Sequence, residues 1–160
     1  MIKVLFVCKS NICRSPMAEA VFQNMINQPG LADDIMVDSA ATDDWHINEK
    51  AHPGTLRVLQ EKGLSYNGRA RLFTRSDLNQ FDYVLAMDRS NLSAIMNNSA
   101  DTRIEPRLFL SYANKANLVE IDEVPDPQYN TDEAFDGIYQ LILVGCTALF
   151  EHIRSRNSLL

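Results

Sequence analysis

Val4, Leu5, Phe6 and Val7 make an uninterrupted apolar run that ends on the polar stretch Cys8-Lys9-Ser10-Asn11-Ile12-Cys13-Arg14-Ser15-Pro16. Four successive β-branched, aliphatic or aromatic residues predict a strand covered on both faces. Past the polar stretch the pattern turns helical over residues 17–25. Pro16 has no N–H to lose and a helical φ, so it is expected at the first helical position with Ser15 as cap. Pro29-Gly30 marks a turn, residues 35–39 a second strand, and residues 40–52 a loop. Leu56 and Leu59 share the apolar side of a helix expected over 53–62, stopped by Gly63. Residues 82–86 read as a third strand and 90–96 as a short helix. A weaker fourth strand, broken by Pro106, is expected within 102–108. A long polar loop carrying Pro125-Asp126-Pro127 precedes a final helix over about 134–154.

Strands alternating with helices predict a single three-layer α/β domain over residues 1–160. Its four-stranded parallel sheet is flanked by helices, and the loop after the first strand sits where such sheets bind ligands. Cys8, Ser39 and Met87-Asp88 all fall at expected C-terminal strand ends. No repeat, low-complexity tract or long linker divides the chain.

Composition narrows the function. At 46% hydrophobic residues the chain can bury a sizeable core, and no apolar run approaches membrane-spanning length, so no membrane insertion is expected. No signal-peptide pattern is read at the start. Three cysteines without a paired framework suggest a reducing, cytoplasmic setting. A net charge of −6 argues against nucleic acid as a partner and means that any anion pocket must be built locally.

The loop supplies such a pocket. A strand end, a tight polar loop and a helix N-terminus aim backbone N–H groups at one point. Cys8 at the strand end can act as a thiolate nucleophile if a helix N-terminus and Arg14 favour the charge. Arg14 offers a planar fork for two phosphate oxygens, and Ser15 can donate to the sulfur. Lys9, Ser10, Asn11, Ile12 and Cys13 complete the expected phosphate-binding loop. Asn11 can tie the loop closed while tolerating left-handed backbone. Attack on a phosphoryl group also needs an acid for the leaving oxygen and a base for water; Asp126, between two prolines, is the candidate. The plain alternative makes Cys8 a small buried hydrophobe, Arg14 a solvated helix-start residue, and Asp126 an ordinary loop aspartate. No His or Cys cluster has metal-ligand spacing, since His46, His52 and His152 are scattered, and the chemistry needs no cofactor.

The run from Val7 to Pro16 closely resembles the signature of the low-molecular-weight protein tyrosine phosphatases, and the likeness extends over nearly the whole chain. It implies hydrolysis of phosphotyrosine on a protein substrate through a phosphocysteine on Cys8, with inorganic phosphate as product, by a monomer or weak dimer. It implies that the Asp126-Pro127 pair carries the general acid. It also implies that Ser39 hydrogen-bonds Asn11, although a strand-end serine bonding its own backbone fits equally. Trp45 matches the aromatic on one side of the cleft. Asp88 and Asn91 match a segment near the site, with helix capping an equal account. A reversible Cys8–Cys13 disulfide is a further implication.

Three positions depart from the family pattern. Ser10 replaces a glycine and would be strained if that position needs φ > 0. Gly68 replaces a supporting histidine. Gln128 replaces the second aromatic wall, for which Tyr129 is the expected substitute. Arsenate reduction lacks the resolving cysteines it needs, as Cys146 reads as core. Phosphoarginine phosphatases tend to carry threonine where this chain has Ile12. A phosphocysteine carrier would need neither Arg14 nor an acid, and a non-catalytic phosphotyrosine-binding module is the remaining alternative.

Overall fold

The computed structural model describes residues 1–97 and 101–159. Strand β1 (Ile2–Cys8) is central, and its period-two alternation splits the core. Val4 and Phe6 enter one hydrophobic cluster, Leu5 and Val7 the other, and all four are fully buried. β2 (Ile35–Ala41) pairs with β1 in parallel from Ile2↔Ile35 to Cys8↔Ala41. β3 (Tyr83–Ala86) pairs on the other side from Val4↔Tyr83 to Val7↔Ala86. β4 (Arg107–Leu108) completes the all-parallel order β2-β1-β3-β4.

Helix α1 (Arg14–Asn27), α2 (Pro53–Glu61), α5 (Ser111–Lys115) and α6 (Asp132–Arg156) contribute to the cluster around Phe6. There Phe6 meets Phe22 and Phe109 edge to face, at 5.8 and 5.3 Å between ring centroids. Burying one such ring contributes about 1.5–3 kcal/mol. α3 (Asp77–Gln80) and α4 (Arg89–Met96) cover the opposite face through Leu78 and Ile95. α6 is long and apolar enough to cross a membrane by length and composition alone. Its buried positions, from Phe135, Ile138 and Ile142 to Cys146, Leu149 and Ile153, nevertheless recur every three or four residues. That is the stripe of a helix packed on the domain core, where α6 lies against α1, α2 and α5.

The sheet, its order of elements and the major helices match the sequence reading. α1 differs in that it opens at Arg14, with Cys13 at the cap position, rather than at Pro16. Ser15 is therefore not a cap but a first-turn residue. Pro16 still loses nothing there, because first-turn N–H groups have no intrahelical partner. β4 is two residues long because Pro106, just before it, cannot donate to the ladder. α3 and α5 escaped the sequence reading because helices of four and five residues show no periodicity.

Gly145 lets α6 approach the sheet: a Cβ there would stand 2.5 Å from the buried Phe109 ring. Gly145→Ala should cost about 1–3 kcal/mol by urea denaturation, overpacking outweighing helix propensity. Gly137→Ala, on the same helix with nothing within 4 Å, should instead gain up to about 1 kcal/mol.

Candidate active site

Between β1 and α1 the backbone carbonyls are tied outward. Cys8 O accepts from Thr42 N (3.0 Å), Lys9 O from Asp43 N (2.8 Å) and Ile12 O from His52 N (2.7 Å). Cys13 O accepts from Thr55 Oγ1 at 3.0 Å. Among the described residues the N–H groups of residues 9–13 donate to no protein acceptor. Carbonyls out and amides in make an anion nest at the mouth of a helix. The turn that allows it falls on Asn11, at φ 57°, and not on Ser10. The strain anticipated at Ser10 is therefore absent; Asn11 takes the left-handed conformation, which its side chain tolerates.

Asn11 also fixes the loop through its amide. Its Nδ2 donates to Ser15 Oγ (2.7 Å) and Ser39 Oγ (2.9 Å), and its Oδ1 accepts from Arg71 N (3.1 Å). Ser15 Oγ lies 3.0 Å from Cys8 Sγ. Ser39 thus bonds Asn11, and it also donates to Glu19, which the sequence reading had not singled out.

Arg14 is 2% exposed, and its guanidinium is divided between two tasks. Nη1 donates to Asp88 Oδ2 (2.6 Å) and Val124 O (2.9 Å). Nε has no partner, and Nη2 has only Asp126 Oδ2 at 3.6 Å. The Nε/Nη2 edge is the one that takes a two-oxygen anion side on. Burial opposes the charge on Arg14, but Cys8, Asp88 and Asp126 outweigh it and hold the pKa above its usual value. Asp88 does both things considered for it. Its Oδ1 caps α4 by accepting from Asn91 N (2.9 Å), while Oδ2 holds Arg14.

A small cavity is lined by Cys8, Ser10, Ile12, Cys13, Arg14, Asp126 and Gln128. Asp126 is half-exposed at its rim, with Oδ1 accepting from Gln128 N (3.1 Å) in a turn stiffened by Pro125 and Pro127. A larger cavity of about 650 Å³ lies at the other end of the sheet, beside Ile2 and Tyr83, and holds none of these groups. Trp45 is 72% exposed, outside the core, with Lys9 Nζ 5.5 Å from its ring centroid. Tyr129 is 86% exposed and does not line the cavity; Gln128 does, so Tyr129 does not replace the missing wall in this conformation. Gln128 Nε2 instead meets His46 Nε2 at 3.3 Å, and His46 Nδ1 meets Glu49 Oε2 at 2.8 Å. The bridge joins loops 82 residues apart, which no local sequence signal reveals. Cys13 is buried in the loop, and burial first, then the Cys8 charge, pushes its thiol far up. Cys146 lies in the core against Ala18 O.

A cysteine sulfur within a ring of free amides, faced by a free arginine edge, defines a cysteine-dependent phosphatase site. A family model described as low molecular weight phosphotyrosine protein phosphatase matches residues 3–159, and the chain belongs to that family. It is 41% identical over 162 residues to YfkJ of Bacillus subtilis, a low molecular weight protein-tyrosine-phosphatase, covering 99% of this chain and 100% of that protein. The crystal structure of YfkJ matches with a TM-score of 0.90 over 98% of this chain and 96% of that one, at 38% identity. The low molecular weight phosphotyrosine protein phosphatase of Sus scrofa is 36% identical over 154 residues, 94% of this chain and 95% of that one. A drosophila arginine phosphatase structure also matches, with a TM-score of 0.88 and 30% identity over 96% of this chain and 98% of that one.

Burial would raise the Asp88 carboxyl, but hydrogen bonds from Arg14, the Asn91 backbone and Ser90 hold it below its ordinary value of 3.8. Its stabilising contribution is therefore present above that value and lost as pH falls through the depressed one. Asp88→Ala should cost about 2 kcal/mol or more at neutral pH in urea unfolding, through lost cap and lost clamp. The gap to wild type should narrow in acid.

Proposed function

We propose that Cys8, Arg14 and Asp126 carry the phosphotyrosine hydrolysis characteristic of this family. The observation that carries the assignment is the Cys8 sulfur set among unpaired loop amides, opposite the unpartnered Arg14 Nε. Cys8 Sγ attacks phosphorus in line while the phosphorus–oxygen bond to the phenol breaks. Asp126 gives its proton to the departing phenolate. Arg14 and the loop amides bind the three equatorial oxygens, where charge is spread in the transition state. Asp126, now ionised, takes a proton from water as it attacks phosphorus. The sulfur–phosphorus bond breaks, the thiolate returns to the Ser15 hydroxyl, and phosphate leaves. Substrates are phosphoproteins that approach past the exposed Trp45 and an entrance made polar by the Gln128–His46 bridge. Three free cysteines suit a reducing compartment such as the cytoplasm.

Turnover of aryl phosphate, alkyl phosphate and phosphoarginine by wild type and Asp126→Ala tests this reading. Selective aryl turnover, with kcat reduced about 10²-fold or more in Asp126→Ala, is expected. Preference for phosphoarginine would move the substrate class, and an undiminished Asp126→Ala rate would remove the acid. Cys8→Ser should bind phosphotyrosine peptide without turning it over; retained turnover would exclude the phosphocysteine.

A further inference from the structure

The hydrogen-bond chain that begins at the Cys8 sulfur continues past Ser39. Glu19, on α1, accepts from Ser39 Oγ at 2.6 Å and from the Tyr66 hydroxyl at 3.4 Å. Ser39 has one hydroxyl proton and gives it to Glu19, so it turns a lone pair toward Asn11 Nδ2 at 2.9 Å. The other Asn11 amide proton goes to Ser15 Oγ at 2.7 Å, which leaves the Ser15 proton for Cys8 Sγ at 3.0 Å. Asn11 Nδ2 can only donate, so it turns the Ser39 proton toward Glu19 on one side and the Ser15 proton toward Cys8 on the other, and the anchoring of Ser39 by Glu19 holds that amide in place.

Tyr66 reaches Glu19 because residue 68 is glycine. A Cβ at Gly68 would stand 2.5 Å from the Tyr66 oxygen and 2.7 Å from the ring carbon bearing it. The constraint is one of space, since Gly68 is not at positive φ. Gly68 occupies the position where the family resemblance implied a supporting histidine, and the Tyr66 phenol fills the room above it.

We propose that Glu19 and Tyr66 are positioning residues for the nucleophile: ionised Glu19, accepting the Ser39 and Tyr66 hydroxyls, fixes the chain that ends with Ser15 donating to Cys8. The proposal deepens the phosphatase reading and rests on Cys8 as its reactive thiolate. The groups facing Glu19 are Ser39 and Asp38 on β2, and Tyr66 and Arg71 on the segment between α2 and α3. Arg71 is itself held by Asp38 (3.0 Å) and Asp77 (3.2 Å). Burial, with the Ser39 hydrogen bond opposing it and Asp38 adding to it, pushes the Glu19 carboxyl up to about 7. A proton on Glu19 removes the charge that strengthens the hydrogen bonds from Ser39 and Tyr66, so the competent form accumulates as pH rises through neutrality. The same shift means that the folded chain holds this proton more tightly than the unfolded one. Glu19 therefore withdraws stability as pH rises from its ordinary value of 4.5 toward about 7.

The test follows iodoacetamide alkylation of Cys8, read on its own peptide, and kcat/KM for p-nitrophenyl phosphate, both across neutral pH. Wild type should show a rise near neutrality that E19Q lacks, E19Q staying near the acid-side level of wild type, because glutamine keeps the acceptor oxygen but cannot carry the charge. At the alkaline end E19A, with neither acceptor nor charge, should alkylate roughly two- to tenfold more slowly than wild type, and E19Q should fall between the two. Y66F and G68A should shift the step alike, the first by removing the hydroxyl and the second by displacing it. In urea, E19Q should gain on wild type as pH rises toward neutrality. Superimposable E19Q and wild-type profiles in both assays would overturn the proposal while leaving the phosphatase reading intact. A Glu19-dependent alkylation step in a protein that hydrolyses no phosphate ester would support the relay and remove the reading it serves.

Discussion

The loop between β1 and α1 must hold its amide hydrogens around one point with no protein acceptor among the described residues bonded to them. Like dipoles crowded in this way repel, so the arrangement survives because its reverse side is tied down. The carbonyls of Cys8, Lys9, Ile12 and Cys13 are each claimed by the segment running from β2 into α2. Asn11 absorbs the one left-handed turn and cross-links the loop to Ser15, Ser39 and the Arg71 backbone. The strand feeding the loop is fully buried from Val4 to Val7, so its end cannot drift. An anion would relieve the crowding, and that is the physical basis of the phosphate binding proposed for the loop.

Arg14 adds a buried cation, which by itself costs several kcal/mol to desolvate. Asp88 and the Val124 carbonyl offset that cost on one terminal nitrogen, leaving Nε unpartnered and Nη2 with only Asp126 Oδ2 at 3.6 Å. Complete pairing would have made Arg14 a structural ion pair. Partial pairing leaves Nε unpartnered, as the proposed oxyanion role requires. Because Asp88 also caps α4, the C-terminal end of β3 and the Arg14 guanidinium are locked to one carboxylate. In a chain of net charge −6, the proposed phosphate binding would rest on this local arrangement rather than on any overall field.

The strand–loop–helix unit was legible because a fully buried strand writes itself as a continuous apolar run and the loop as a sudden polar stretch. Asp126 was singled out by its Asp-Pro pair, and the structure places it at the rim of the same cavity. What escaped depends on contacts distant in sequence. The Arg14–Val124 bond joins residues 110 apart, and the Gln128–His46 bridge 82. Glu19 sits within an ordinary amphipathic helix, and its meaning appears only once Ser39 and Tyr66 converge on it. The helix start moved from Pro16 to Arg14 because the loop already adopts helical backbone there, which cap residues alone do not disclose. Ser10 shows the opposite lesson: a departure from a family pattern carries no strain when the neighbouring residue takes the demanding φ.

The most direct measurement is rapid acid quench of the enzyme during turnover of an aryl phosphate, followed by mass analysis of the peptide containing Cys8. Covalent chemistry at that sulfur predicts one added phosphoryl group on Cys8, formed within a single turnover and accumulating further in Asp126→Ala if water attack is slowed more than attack by sulfur. Turnover with no phosphoryl group on Cys8 at any quench time, and with full activity in Cys8→Ser, would contradict it.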